Sequence, residues 1–165
     1  MTVTDEFLNA SEQYRSAFTK GDLPMPPGRK TAVLACMDAR LDPARLLGLE
    51  EGDAHVIRNA GGVATADAIR SLAISQRLLG TREIVLIHHT DCGMLTFKDD
   101  EFRQGIEQET GQRPEWTAEA FDDPDADVRQ SIKRIKNSPF VPHRDQIRGF
   151  IYHVENGSLR EIDPA

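Results

Sequence analysis

Apolar positions recur along the chain with two periods, and the switching between them predicts the elements. Over residues 4–18, "TDEFLNASEQYRSAF", Phe7, Ala10, Tyr14, Ala17 and Phe18 fall at i, i+3, i+7, i+10 and i+11, one apolar helical stripe behind a Thr4/Asp5 start signal. The following "GDLPMPPGRK" holds three prolines and two glycines and cannot continue a helix. Residues 1–28 therefore read as a helical arm and a stiff linker, and the arm's aromatic stripe must cover either this subunit or a neighbouring one. Two short apolar runs, "TAVLACMD" (31–38) and "AHVIRNAGG" (54–62), have the pattern of strands buried on both faces of a parallel sheet. Between them "LDPARLLGLEEGD" fits a short helix with Pro43 in its first turn.

The helical period returns over 65–79, where Ile69, Leu72, Ala73, Gln76 and Leu79 share a face between a Thr65/Asp67 start and Gly80. The strand "EIVLIHH" follows at once. A polar, irregular insertion over roughly 93–123 carries short helices around "GMLTF" and "DDEFRQGIEQE". "DDPDADVRQSIKRIKNSPF" then reads as a capped helix with Val128, Ile132 and Ile135 inward, and "RGFIYHVENGSLREI" as two strands flanking the hairpin signal Asn156-Gly157. The sum is an α/β fold in one domain over residues 1–165, a mostly parallel sheet with the last hairpin strand as an antiparallel edge. Right-handed crossovers put the carboxyl ends of the strands on one side, where open α/β sheets build their sites. If the first and third strands are neighbours with crossovers on opposite faces, Cys36 and His89 meet there.

Composition narrows the class. A length of 165 residues at 39% hydrophobic suits a single globular core. No run approaches the ~20 apolar residues of a membrane span, and the N-terminus lacks a basic start and apolar core, so a soluble, cytoplasmic protein is expected. A net charge of -7, from 27 acidic against 20 basic side chains with no Lys/Arg cluster, argues against nucleic acid or a membrane surface as partner. The two cysteines, Cys36 and Cys92, are not expected to form a structural disulfide in a reducing compartment; they are inert core thiols or they do chemistry.

Residues 89–92 form an HxxC unit past one strand and residues 36–40 a CxDxR unit past another. Two thiolates and an imidazole suit zinc, and a catalytic zinc keeps its fourth position for water. Single cysteines are more often packing residues, so spacing alone leaves both readings open.

Taken in order and spacing, "CMDAR", "IRNAGG" and "HHTDCG" resemble the beta-class carbonic anhydrases, in particular their short single-domain prokaryotic subgroup. The resemblance implies a three-layer fold with a four-stranded parallel central sheet, an antiparallel C-terminal edge strand and an extended N-terminal helix. It implies Zn2+ held by Cys36, His89 and Cys92, and an acid/base-orienting pair of Asp38 and Arg40, with Asp38 a candidate fourth ligand in an inactive state. It further implies reversible hydration of CO2 to bicarbonate, and a homodimer or higher homo-oligomer with the first helix across the partner. The chain departs from the common pattern at His88, where members often carry glycine, and at Ala35 and Ala39, where serine is frequent.

His88 either serves proton transfer or faces away from the metal, the second being preferred. Gly61 and Gly62 are expected to form a pocket wall against the substrate, because glycine lets backbone come close. Arg58 reads as a structural or interface charge, Asp91 as a loop-capping carboxylate, and His55, His143 and His153 as structural or exposed. The competing functions are hydrolysis of carbonyl sulfide or carbon disulfide on the same site, and a non-catalytic structural-zinc or thiol-sensor role. A nucleotide-binding domain ranks below these, since "NAGGVAT" lacks the GxGxxG spacing.

Overall fold

A computed structural model describes residues 1–164. Its sheet has five strands, β1 (Thr31–Cys36), β2 (Ala54–Asn59), β3 (Glu83–His89), β4 (Ile147–Tyr152) and β5 (Leu159–Ile162), in the order β2-β1-β3-β4-β5. The first four run parallel and β5 pairs antiparallel with β4, as the pattern predicts. The helices are α1 (Val3–Ala17), α2 (Pro43–Leu47), α3 (Ala66–Leu79), α4 (Asp99–Thr110) and α5 (Pro124–Asn137).

Local chemistry sets most of the helix ends. Asp42 and Asp123 cap α2 and α5, each with a proline in the first turn, and Thr65 caps α3, which Gly80 ends in the left-handed region. The start of α1 lies earlier than the Thr4/Asp5 signal suggests. Thr2 is its cap, its hydroxyl accepting from the Asp5 amide while the Asp5 carboxylate accepts from the Thr2 amide in a capping box, so Asp5 is the third helical residue rather than the first.

Strand alternation makes three layers. Ala32 and Leu34 of β1 join Leu72 of α3 and Val128, Ile132 and Ile135 of α5 on one face. Val33 and Ala35 face the other side, with Leu46 and Leu47 of α2 and with Met94. The α2 and α3 crossovers thus lie on opposite faces, and β1 and β3 sit side by side with their carboxyl ends at the reversal point. That crevice is where ligands of such sheets bind.

Two expectations change. β2 is an edge strand paired only with β1, so Val56 and Arg58 are exposed and the strand is not buried on both faces. The Asn156-Gly157 signal does sit between β4 and β5, with Gly157 at φ 77°, but it lies in a connection spanning 153–158 and is no two-residue turn. The arm lies largely open in its own subunit: no α1 residue is buried, and Phe7 is 67% exposed. Its end is tied back through Tyr14, which donates to Glu51 at 3.1 Å, and Lys20, which donates to Glu50 and Glu51.

Candidate metal centre

β1 ends at Cys36 and β3 at His89, and the turn after β3 brings Cys92 back beside them. One donor atom from each of these three residues lies within 4.8 Å of the other two, and all three residues are buried. The two sulfurs are 3.9 Å apart, and His89 Nε2 is 3.2 Å from the Cys36 sulfur. Two Zn–S arms of about 2.3 Å at a tetrahedral angle span about 3.8 Å, so the sulfur spacing fits that ion. His89 Nδ1 lies 2.7 Å from the Thr90 carbonyl, which can only accept. A ring hydrogen therefore sits on Nδ1 and Nε2 is the nitrogen turned to the sulfurs, the orientation of a metal-ligating histidine.

The two thiols are not equivalent. Cys36 is driven well below the usual thiol range, first by the Cys92 S–H against its sulfur, then by His89 and the amides of Asp38 and Gly61, against the cost of burial. Cys92 is pushed up, chiefly because it lies against that thiolate and is itself desolvated.

Beside the triad, Asp38 Oδ2 stands 3.7 Å from His89 Nε2. Arg40 holds this carboxylate in a fork, Nε to Oδ1 at 3.0 Å and Nη2 to Oδ2 at 2.9 Å, and its own amide adds a bond to Oδ1 at 2.8 Å. These bonds keep Asp38 far below the usual carboxylate range, with Arg40 the first cause.

A family model described as "Carbonic anhydrase" matches residues 31–159, a stretch that contains the whole constellation. The chain belongs to the beta-carbonic anhydrase family. It is 60% identical to beta-carbonic anhydrase 1 of Mycobacterium tuberculosis over 99% of this chain and 100% of that protein. The solved carbonic anhydrase of Streptococcus mutans superposes with a TM-score of 0.92, at 42% identity over 99% of both chains. A carbon disulfide hydrolase from Acidianus is more distant, 33% identical over 95% of this chain and 87% of that one.

In this beta-carbonic anhydrase the metal centre opens into a cavity of about 740 Å3. Its polar side holds Asp38 and Arg58; its apolar side holds Ala60, Met94, Phe97 and Phe102. Gly61 lines the cavity. Gly62 does not. It is buried beneath the cavity at φ 69°, where a Cβ would come within 2.8 Å of the Cys36 nitrogen and 2.9 Å of the Ile87 oxygen, so it permits contact with the sheet rather than with a substrate.

His88 faces away from the centre. It is fully buried on the α5 side, with Nε2 2.7 Å from Asp127 Oδ2, and it answers the preferred reading. His55 Nδ1 meets Ser75 at 2.7 Å and His153 Nδ1 meets Glu155 at 3.0 Å, both structural contacts. Asp91 does more than cap its loop. It sits at φ 52°, unusual for a residue with a Cβ, and its carboxylate and carbonyl accept from Arg40 at 2.8 and 2.9 Å. Arg40 thereby joins the 36–40 half of the site to the 89–92 half. Aspartate tolerates the left-handed region and so hid this position, where a glycine would have announced it.

Proposed function

We propose that this chain is a zinc-dependent carbonic anhydrase, a lyase interconverting CO2 and water with bicarbonate and a proton. The observation that carries the reading is the convergence of Cys36, His89 and Cys92 beside an ionised Asp38 held by Arg40. These three residues are the zinc ligands. Zinc, when bound, supplies a Lewis acid that lowers the pKa of water from 15.7 to about 7, making a nucleophile available near neutrality.

The remaining chemistry falls to side chains. Asp38 accepts a hydrogen from the attacking water and so aims an oxygen lone pair at the carbon of CO2, while Arg40 keeps the carboxylate from swinging toward the ligands. CO2 is uncharged and linear, and Ala60, Met94 and Phe97 offer it an apolar wall. The oxygen–carbon bond forms, bicarbonate leaves, and the proton passes to solvent. Asp38 becomes a fourth ligand in an inactive state only by giving up its bonds to Arg40.

Residues 1–165 act as one domain. The functional unit is a homodimer or higher oligomer, its partner receiving the bare apolar stripe of α1, from Phe7 to Tyr14. A cytoplasmic location suits two thiols 3.9 Å apart that bind metal only while reduced. The decisive experiment is metal analysis joined to stopped-flow hydration of CO2 across pH, with carbonyl sulfide and carbon disulfide assayed alongside. One zinc per chain and CO2 as the fastest substrate are expected. One zinc without CO2 hydration at any pH would overturn the enzyme reading, and faster turnover of a sulfur substrate would overturn its specificity.

A further inference from the structure

Arg58, at the end of β2, brings a full positive charge to the wall of the metal cavity. Its guanidinium makes four hydrogen bonds, and every acceptor is a main-chain carbonyl. Nε and Nη2 both donate to the Cys36 oxygen, at 3.0 and 2.7 Å, and Nη2 also reaches the oxygens of Asp38 at 2.9 Å and Leu41 at 2.7 Å. Among the described residues no carboxylate pairs with it.

Those three carbonyls belong to the end of β1 and the loop that follows it, residues 36–41, a stretch that carries both the Cys36 sulfur and the Asp38 carboxylate. Other contacts also order that loop: Leu41 is buried among the core residues, and Arg40 bonds across to Asp91. The Met37 amide bonds to the Asn59 carbonyl at 2.8 Å, extending the β1–β2 ladder by one rung, and the Leu41 amide closes a turn on the Asp38 carbonyl at 3.0 Å. Arg40 fixes the Asp38 side chain, and its own amide bonds to Oδ1 at 2.8 Å, while among the described residues the side chain that donates to the carbonyls of this loop is Arg58. A guanidinium facing three carbonyls fixes the direction of their peptide units, because each peptide must present its oxygen to the cation. The flat, divergent N–H groups of arginine can span acceptors that a single ammonium cannot.

We propose that Arg58 is a positioning residue of the metal centre. It grips the 36–41 loop by its backbone and so sets where the Cys36 sulfur and the Asp38 carboxylate stand relative to His89, at 3.2 and 3.7 Å. The proposal rests on the zinc reading above and adds a residue that is not among the ligands.

The test compares the native chain with Arg58→Met and Arg58→Lys. Zinc affinity is measured by competition with a chromogenic chelator, and the cobalt-substituted chains are compared by visible absorption. Removing groups that hold metal ligands in place lowers affinity about 10–100-fold, and Arg58→Met is expected in that range, with a shifted thiolate-to-cobalt band. Arg58→Lys should fall between Met and the native residue. Equal zinc affinity and an unchanged cobalt spectrum in Arg58→Met, whatever its thermal midpoint, would overturn the proposal, since a merely structural arginine would move only the midpoint. Should the Met variant not fold, Arg58→Lys is read by the same two measurements, and native values in both would be equally fatal. A native chain that takes up no zinc would instead refute the metal-centre reading itself.

Discussion

His88 and His89 are consecutive residues, both shut off from solvent, and they lie in different chemistry. Strand alternation turns His89 toward the α2 side, where its partners are a sulfur and a main-chain carbonyl. The same alternation turns His88 toward α5, where Asp127 takes Nε2 and the ring of Phe121 lies 5.4 Å away. His88 Nδ1 has no hydrogen-bond partner among the described residues. One imidazole turns Nε2 to a cluster of ligand atoms; the other ties the sheet to a helix. Sequence proximity therefore says little about shared function in a strand, because the pleat sends neighbours to opposite faces.

The comparison breaks first on the metal side. His89→Ala, or Cys36→Ser or Cys92→Ser, is expected to remove zinc and to lower CO2 hydration by at least about 10³-fold, since no acidic water remains to react. Metal content and stopped-flow rates on the same samples check this. Full zinc occupancy in His89→Ala would mean that His88 or Asp38 can replace it, and the separation of the two faces would fail. Asp38→Ala comes next, with turnover down about 10²-fold and zinc retained, the usual worth of a positioned acid/base group. Arg40→Ala should cost about tenfold by freeing the carboxylate it holds. A larger loss in Arg40→Ala than in Asp38→Ala would show that the arginine acts on its own account and not through Asp38.

These outcomes bear on what the sequence could reveal. The ligand set is legible because Cys36, His89 and Cys92 are chemically distinctive and stand where apolar runs stop. The parallel order was legible for the same reason, through runs such as "TAVLAC" and "EIVLI". The edge position of β2 was not, because "AHVI" has the composition of a buried strand and only the pairing with β1 alone exposes Val56. Arg58 and Asp127 were equally hidden. The acceptors of Arg58 are backbone carbonyls, which every residue owns, and Asp127 lies 39 positions from His88 inside an acidic stretch that reads as a helix start. Support for a site is written in the fold, whereas its ligands are written in residue type.

On the α5 side, Asp127→Ala should leave the site intact and weaken the fold. It strips a buried imidazole of its one partner, a loss of about 1–3 kcal/mol, which for a chain of this size lowers the thermal midpoint by about 2–12 °C. Hydration rate per bound zinc should stay within about twofold of the native chain, by the independence of separated sites. A tenfold fall in that rate would show that the two histidines are coupled through β3 after all.

The smallest effect sharpens the comparison at the strand end. Thr90, next to His89, donates its hydroxyl to Glu155 at 2.7 Å and accepts from the Val154 amide at 3.0 Å, so the 153–157 loop is pinned beside the ligand. Glu155 is lowered to about 2, first by the Thr90 hydroxyl, then by its own amide and by His153. A carboxylate whose folded pKa lies below its unfolded value of 4.5 adds stability that is present above about pH 4.5 and is lost as pH falls toward 2. Because Glu155 is solvent-exposed, the contribution is small and screened by salt. Glu155→Gln should therefore match the native chain below about pH 2 and be slightly less stable above pH 4.5, as read from urea midpoints at several pH values in low salt. A variant that weakens the fold equally at every pH would assign the contact to hydrogen bonding without charge. One that releases zinc at neutral pH would place this loop among the groups that hold His89.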